Sequence, residues 1–259
     1  MDLGWFEAAL NVADLKRSLA FYRTLGFEAH GDSAANGVAA LYKDDCSITL
    51  YQSGLNPARP QLIFWQGDVA AIAADLSAKG LQFFRGPSSD ERGAGAMLLD
   101  PDGHPVFFIT MKKYDGNSPA AEPDGKRIKA RQYPPAEKRG IDLGWFEISL
   151  PVKDMRKSVD FYRKLGFRIA EDRDPRNITL VSNDCRLSLY QGYLDPDRPQ
   201  LIFWQQDVRA ICDHLGGKGL SFLSGPASDA KGTGAMLIDP DGHPLYFVNI
   251  KGVERKEPV

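Results

Sequence analysis

Histidine and cysteine are scarce in this chain, with four and three residues among 259. Three cysteines are too few, and odd in number, for a disulfide framework; with them goes the expectation of a reducing, cytoplasmic setting. Cys46 and Cys185 hold matching positions and Cys212 has no counterpart, so the first two read as small strand-edge residues rather than a bridge. An excess of either charge is also missing. The net charge of −2 excludes the basic field that non-specific nucleic-acid binding needs. No apolar run approaches the roughly 20 residues of a membrane span. The start, MDLGWFEAAL, lacks a basic segment followed by an apolar one, so no signal peptide is expected. What remains, 43% hydrophobic and 25% charged, is the composition of an ordinary globular protein.

What is present is present twice. Asp2–Phe27 reads DLGWFEAALNVADLKRSLAFYRTLGF and Asp142–Phe167 reads DLGWFEISLPVKDMRKSVDFYRKLGF, identical at 16 of 26 positions. The copies keep step as far as DPDGHP at Asp100 and Asp239. A period this long means tandem domains rather than a solenoid. Each copy spans about 110 residues, enough for its own core.

Within a copy the order is strand, helix, then three strands, twice over. Leu3–Val12 alternates, with Phe6, Ala8, Leu10 and Val12 on one face and Trp5, Glu7 and Ala9 on the other. The apolar set should pack on a helix. Asp14 is placed to cap a helix over Asp14–Leu25, whose Leu15, Leu19, Tyr22 and Leu25 recur at helical spacing before Gly26 stops it. Strands follow around Phe27–His30, Val38–Tyr42 and Cys46–Tyr51. A second module holds a strand at Gln61–Trp65, a helix from Val69 to Lys79, and strands around Leu81–Phe84, Ala96–Leu99 and Val106–Thr110. The loops GPSSDERGAGA (Gly86–Ala96) and GPASDAKGTGA (Gly225–Ala235) read either as glycine-hinged lids or as long hairpin connections. Met111–Gly140 is rich in Pro, Gly, Lys and Arg; its KRIKARQYPP segment is read as a solvated tether in preference to an RNA contact.

The strings EAALNVADLKRSLAFYRTLGF, QLIFWQGDV and DPDGHPVFF closely resemble the vicinal oxygen chelate superfamily, which includes glyoxalase I, extradiol dioxygenases and bleomycin-resistance proteins. The resemblance implies an α+β fold of four β-α-β-β-β modules, forming two cupped-sheet, glyoxalase-like domains. The expected bounds are 1–111, a linker at 112–140, 141–252, and a tail at 253–259, with the two domains paired within one chain. Active relatives hold one divalent metal per cup. By position, the ligands implied here are Glu7, Gln61 and Thr49 in the first copy and Glu147, Gln200 and Ser188 in the second. At the position of the usual last-strand carboxylate stand Phe107 and Tyr246. His104 and His243, in the DPDGHP turns, are expected at the rim; His30 and His214 are expected to be solvated.

Alternation puts Trp5, Glu7, Ala9, Thr49, Tyr51, Gln61, Ile63, Trp65, Phe107 and Ile109 on one inner face. It puts Trp145, Glu147, Ser149, Ser188, Tyr190, Gln200, Ile202, Trp204, Tyr246 and Val248 on the other. An aromatic box with one acid and one amide suits a small aromatic or cationic molecule, with Glu7 and Glu147 as the acting acids. The expectation is therefore a binding protein with no cofactor and no metal. The alternative is a divalent-metal lyase, isomerase or ring-cleaving dioxygenase, holding its metal through Glu7, Gln61, Glu147 and Gln200. A degenerate domain kept for protein association is a third reading.

Overall fold

The computed structural model describes residues 3–30, 36–43, 46–55, 61–111, 141–182, 185–192, 194 and 200–252. The linker, with its KRIKARQYPP segment, and the tail lie outside the described residues. The first repeat runs β1 (Gly4–Asn11), α1 (Leu15–Thr24), β2 (Glu28–His30), β3 (Val38–Lys43), β4 (Cys46–Tyr51), β5 (Gln61–Gln66), α2 (Val69–Ala78), β6 (Arg85–Ser89), β7 (Gly93–Leu99) and β8 (Pro105–Met111). The second runs β9 (Trp145–Pro151), α3 (Met155–Lys164), β10 (Arg168–Asp174), β11 (Asn177–Ser182), β12 (Cys185–Tyr190), β13 (Gln200–Trp204), α4 (Val208–Gly217), β14 (Ser224–Ser228), β15 (Gly232–Ile238) and β16 (Pro244–Ile250). The strands form two eight-stranded sheets of the same order, β2-β3-β4-β1-β5-β8-β7-β6 and β10-β11-β12-β9-β13-β16-β15-β14. The pairing is mixed: β5 runs parallel to β8, and β1 antiparallel to β5.

All four helices start on an aspartate. Asp14 accepts from the backbone N–H of Lys16 and Arg17, Asp68 from Ala71, Asp154 from Lys157, and Asp207 from Arg209 and Ala210. Each side chain thus satisfies N–H groups that the first turn leaves unbonded. The expected apolar stripe of α1 is seen: Leu15, Leu19, Tyr22 and Leu25 are buried.

One element differs from expectation, and one open alternative is decided. The strand assigned to Leu81–Phe84 begins instead at Arg85, because Leu81 and Phe84 are spent on bonds that close α2 and join β7: Leu81 N–H donates to Leu76 O and Phe84 N–H to Met97 O. Of the two readings of Gly86–Ala96 and Gly225–Ala235, lid or hairpin connection, the structure shows the hairpin. β6 pairs with β7 and β14 with β15, and the side chains of Asp90 and Asp229 fold the turns by accepting from Arg92 and Gly93 and from Lys231 and Gly232.

The chain divides into two compact units, and each takes residues from both repeats. One gathers β1 as far as Ala9, β5 to β8 with α2, and α3 with β10 to β12. Its core is a run of aromatic rings: Phe64 packs on Phe6, Phe108 and, edge-on, Phe167, at centroid distances of 5.6, 5.8 and 6.2 Å. The other gathers α1 with β2 to β4, β9, and β13 to β16 with α4. There Phe203 packs on Phe146, Phe247 and Phe27 at 5.6, 5.5 and 6.5 Å. The Phe of each Leu-Gly-Phe stop therefore fills the core beside a sheet of the other repeat.

Hydrogen bonds fix the same exchange. Tyr162 donates to Asp100 Oδ2 at 2.9 Å, and Ser158 to Asp102 Oδ2 at 3.0 Å. In the other unit Tyr22 donates to Asp239 Oδ2 at 3.0 Å, and Ser18 to Asp241 Oδ2 at 2.5 Å. His104 and His243, expected at the rim, are buried at 1% and 5% exposure. Their Nδ1 atoms lie 2.9 and 2.7 Å from Asp100 and Asp239. The turn tucks the imidazole under the sheet because its own carboxylate is there to receive it. His214 is exposed, as expected.

Burial alone would raise the Asp100 and Asp239 carboxyls. The bonds from His104 or His243, and from Tyr162 onto Asp100, outweigh it and hold both below the usual range. Burial beside these carboxylates pushes the Tyr22 and Tyr162 hydroxyls well up.

Two outcomes follow for stability. Since the folded carboxyls titrate below their unfolded value of about 3.9, their contribution is complete above that pH and is lost as pH falls through the folded value. Asp239→Asn should lower the urea-denaturation free energy by about 2 kcal/mol near neutral pH, and the difference from wild type should shrink in acid. Gly4 has φ +91° and a Cβ there would stand 1.8 Å from Trp65 O. Gly4→Ala should therefore destabilise by more than the roughly 1 kcal/mol of a left-handed residue alone, measured by the same denaturation.

Candidate functional site

The site lies on the sheet face opposite the aromatic core, and register settles which residues share it. In β1 and β5, Trp5 is paired with Trp65, Glu7 with Ile63 and Ala9 with Gln61. Across β5 and β8, Ile63 is beside Phe107 and Trp65 beside Ile109. Paired residues project to the same face. Trp5, Glu7, Ala9, Gln61, Ile63, Trp65, Phe107 and Ile109 thus share one face, while Phe6, Ala8, Leu62, Phe64, Val106 and Phe108 are buried on the other. The second repeat repeats this: Trp145 with Trp204, Glu147 with Ile202, Ser149 with Gln200, and then Ile202 beside Tyr246 and Trp204 beside Val248.

The acid sits low on this face. Glu7 is 3% exposed and Gln61 3%, whereas Trp5, Trp65 and Phe107 are half-buried. The Trp65 indole N–H donates to Glu7 Oε1 at 3.1 Å. Trp5 and Trp65 stack at 6.2 Å with 23° between their planes. A buried carboxylate is costly without donors, and an indole N–H on the adjoining strand supplies one. Gln61 Oε1 is buried with no hydrogen-bond partner among the described residues. In the second repeat Glu147 is 2% exposed and Ser149 0%. Ser149 Oγ and Trp204 Nε1 are buried without a partner among the described residues.

Of the remaining candidates, Thr49 and Tyr51 lie on β4 and Ser188 and Tyr190 on β12. Thr49 is buried opposite Ala40, and Tyr51 is half-buried opposite Val38. Ser188 is buried and shares a 2.7 Å hydrogen bond with Thr179 Oγ1. Thr49 and Tyr51 belong to a different compact unit from Glu7, and Ser188 and Tyr190 to a different one from Glu147. The structure brings together Trp5, Glu7, Gln61, Trp65 and Phe107 in one unit, and Trp145, Glu147, Gln200, Trp204 and Tyr246 in the other.

Residues of β6 and β7 were missed as part of this face. Phe107 is paired with Met97 and Met97 with Arg85; Ile109 is paired with Gly95 and Gly95 with Ser88. No strand was expected over 85–89, so Arg85 and Ser88 were not placed on this face, although alternation along 93–99 carries the signal for Gly95 and Met97.

Residues 4–108 and 143–247 match the sequence profile of the Glyoxalase/Bleomycin resistance protein/Dioxygenase superfamily. The chain belongs to that superfamily. No curated protein matches it. Among solved structures, this superfamily member is similar to an extradiol ring-cleaving dioxygenase from B. fuscum, with TM-score 0.61 and 18% identity over 99% of this chain and 74% of that one. It is similar to the 2,3-dioxygenase LapB from Pseudomonas sp. KL28, with TM-score 0.60 and 17% identity over 97% and 93%. It is also similar to homoprotocatechuate 2,3-dioxygenase from Arthrobacter globiformis, with TM-score 0.58 and 18% identity over 96% and 80%. At these identities the likeness is one of fold.

The superfamily implies a divalent metal, and the side chains can be tested for it. Divalent cations are held by several carboxylate, imidazole or thiolate donors converging on one point. Here the first site offers the Glu7 carboxylate, already receiving an indole N–H, and the neutral Gln61 amide, with Phe107 beside Ile63. Among the described residues no group of three or more His, Cys, Asp or Glu comes together. This donor set does not fit a divalent cation.

Trp65→Phe keeps a ring at the site but removes the donor to Glu7. It should cost about 2 kcal/mol of stability, as expected when a buried charged acceptor loses a partner, and the loss should be largely absent in the Glu7→Gln background. Urea denaturation of the two single variants and the double variant measures this coupling.

Proposed function

We propose that this chain is a small-molecule binding protein whose two acid-bearing faces each take an aromatic or cationic organic ligand without a metal. The observation that carries the reading is the buried Glu7 carboxylate beside the stacked Trp5–Trp65 pair, on a face where the rings stay half-open. A face meant only as core would have no use for an acid whose burial must be offset. Indole faces attract cations and stack on planar rings. The carboxylate neutralises positive charge, and the Gln61 carbonyl accepts a hydrogen bond from the ligand. The superfamily includes bleomycin-resistance proteins, and the similar solved structures are named as ring-cleaving dioxygenases; both support an organic, ring-bearing ligand. In the metal-enzyme alternative Glu7 and Glu147 would be ligands, and the neutral Gln61 with Phe107 argues against it.

Tryptophan fluorescence titrated with a panel of aromatic amines, aromatic acids and neutral aromatics should show saturable quenching by the amines. Glu7→Gln should weaken it at least tenfold and Trp65→Ala abolish it at the first site. Absence of quenching by every class, in protein shown to be folded, would sink the proposal. Stoichiometric Ni, Zn, Fe or Mn in the purified protein, lost in Glu7→Ala, would establish the metal enzyme instead.

A further inference from the structure

Comparison of the two acid-bearing faces, row by row, shows where they differ. One row runs across five strands of the first repeat as Glu7, Ile63, Phe107, Met97 and Arg85. In the second repeat the same row is Glu147, Ile202, Tyr246, Met236 and Ser224. The acid and the Ile stay, and the far end changes from a cation to a neutral hydroxyl. Arg85 is exposed, and its side chain makes no hydrogen bond or ion pair among the described residues. The adjoining row leaves it room: a Cβ on Gly95 would meet only Phe108 O, at 3.9 Å, so no side chain stands between Ile109 and Ser88.

We infer that the two sites differ in the charge they accept, the first using Arg85 to hold the anionic end of an aromatic ligand and the second lacking that selection. The inference rests on the reading of both faces as ligand sites. Four strand spacings of about 4.8 Å separate the Glu7 and Arg85 backbones by roughly 19 Å. An arginine and a glutamate side chain extended toward each other along the face would bring their charges to about 10 Å apart, the span of a rigid two-ring molecule carrying an ammonium at one end and a carboxylate at the other. A guanidinium is suited to that carboxylate by its planar fork of donors. In the second site, the partnerless Ser149 hydroxyl and Trp204 N–H and the Ser224 hydroxyl favour neutral oxygen groups instead.

The test uses two probes: an aminomethyl-biphenyl carboxylate and the same amine without its carboxylate. Calorimetric titration gives the affinity ratio of the two for wild type, Arg85→Ser and Ser224→Arg, at low and high salt. Wild type should prefer the carboxylate probe about fivefold at one site per chain, the size expected of an exposed, salt-screened charge pair. Arg85→Ser should bring the ratio to about one, and Ser224→Arg should add a second discriminating site. A wild-type ratio of one, or a preference that survives Arg85→Ser, overturns the inference while leaving the ligand sites standing. Binding of neither probe to folded wild type removes the ligand sites themselves, and this inference with them.

Discussion

The arrangement depends on two buried carboxylates, Asp100 and Asp239. Each closes its own DPDGHP turn by accepting from its own histidine, and each receives the hydroxyl of a tyrosine from the other repeat's helix. A buried charge needs donors from several directions, and here no single repeat supplies them all. The turn thereby selects the helix that packs behind its sheet. Phe167 and Phe27 follow that helix into the core and meet Phe64 and Phe203 edge-on. With one face of β5 and β13 taken up by these rings, the opposite face carries Glu7 and Glu147.

That opposite face is built against the usual direction of folding. In the first repeat its rings are half-buried and its acid is nearly inaccessible, the reverse of a surface in which charge sits outermost. The indole N–H of Trp65 resolves part of the conflict by turning toward Glu7. It also bears on the proposed chemistry: a carboxylate that receives an indole N–H beside an amide and a phenyl ring is a poor cation cage, and the binding reading takes it as the partner of an organic ammonium. Fold likeness to dioxygenases at 17–18% identity does not by itself carry an activity to this chain.

Much of this was legible in the sequence. Period-two alternation assigned Trp5, Glu7, Ala9, Gln61, Ile63, Trp65, Phe107 and Ile109 to one face, and Asp14 marked the start of α1. Exchange between the repeats was not legible, because the repeats carry the same residue types: Tyr22 is as well suited to Asp100 as to Asp239, and only the folded chain makes the choice. The histidines were misplaced for a related reason. His104 looks like a turn residue until Asp100, four positions earlier, is seen to be buried with it. Glycine and serine dominate 86–96 and 225–235, which left lid and hairpin connection both open, so the strands β6 and β14 were not assigned and Arg85 was not counted among the candidate residues.

The internal duplication offers a comparison between two copies under the same folding constraint. Packing residues behind the sheet keep their type: Phe6 and Phe146, Leu62 and Leu201, Phe64 and Phe203, Phe108 and Phe247. Trp5, Glu7, Gln61, Ile63 and Trp65 are kept as well, as Trp145, Glu147, Gln200, Ile202 and Trp204. Stability alone does not ask for a buried acid at the centre of each face, since an apolar side chain there would fold at least as well. Ala9, Phe107, Arg85 and Ser88, set further from that centre, have become Ser149, Tyr246, Ser224 and Ala227. A retained acid-and-indole centre within an altered surround is what the proposed binding reading would require, one recognition chemistry applied to two different molecules.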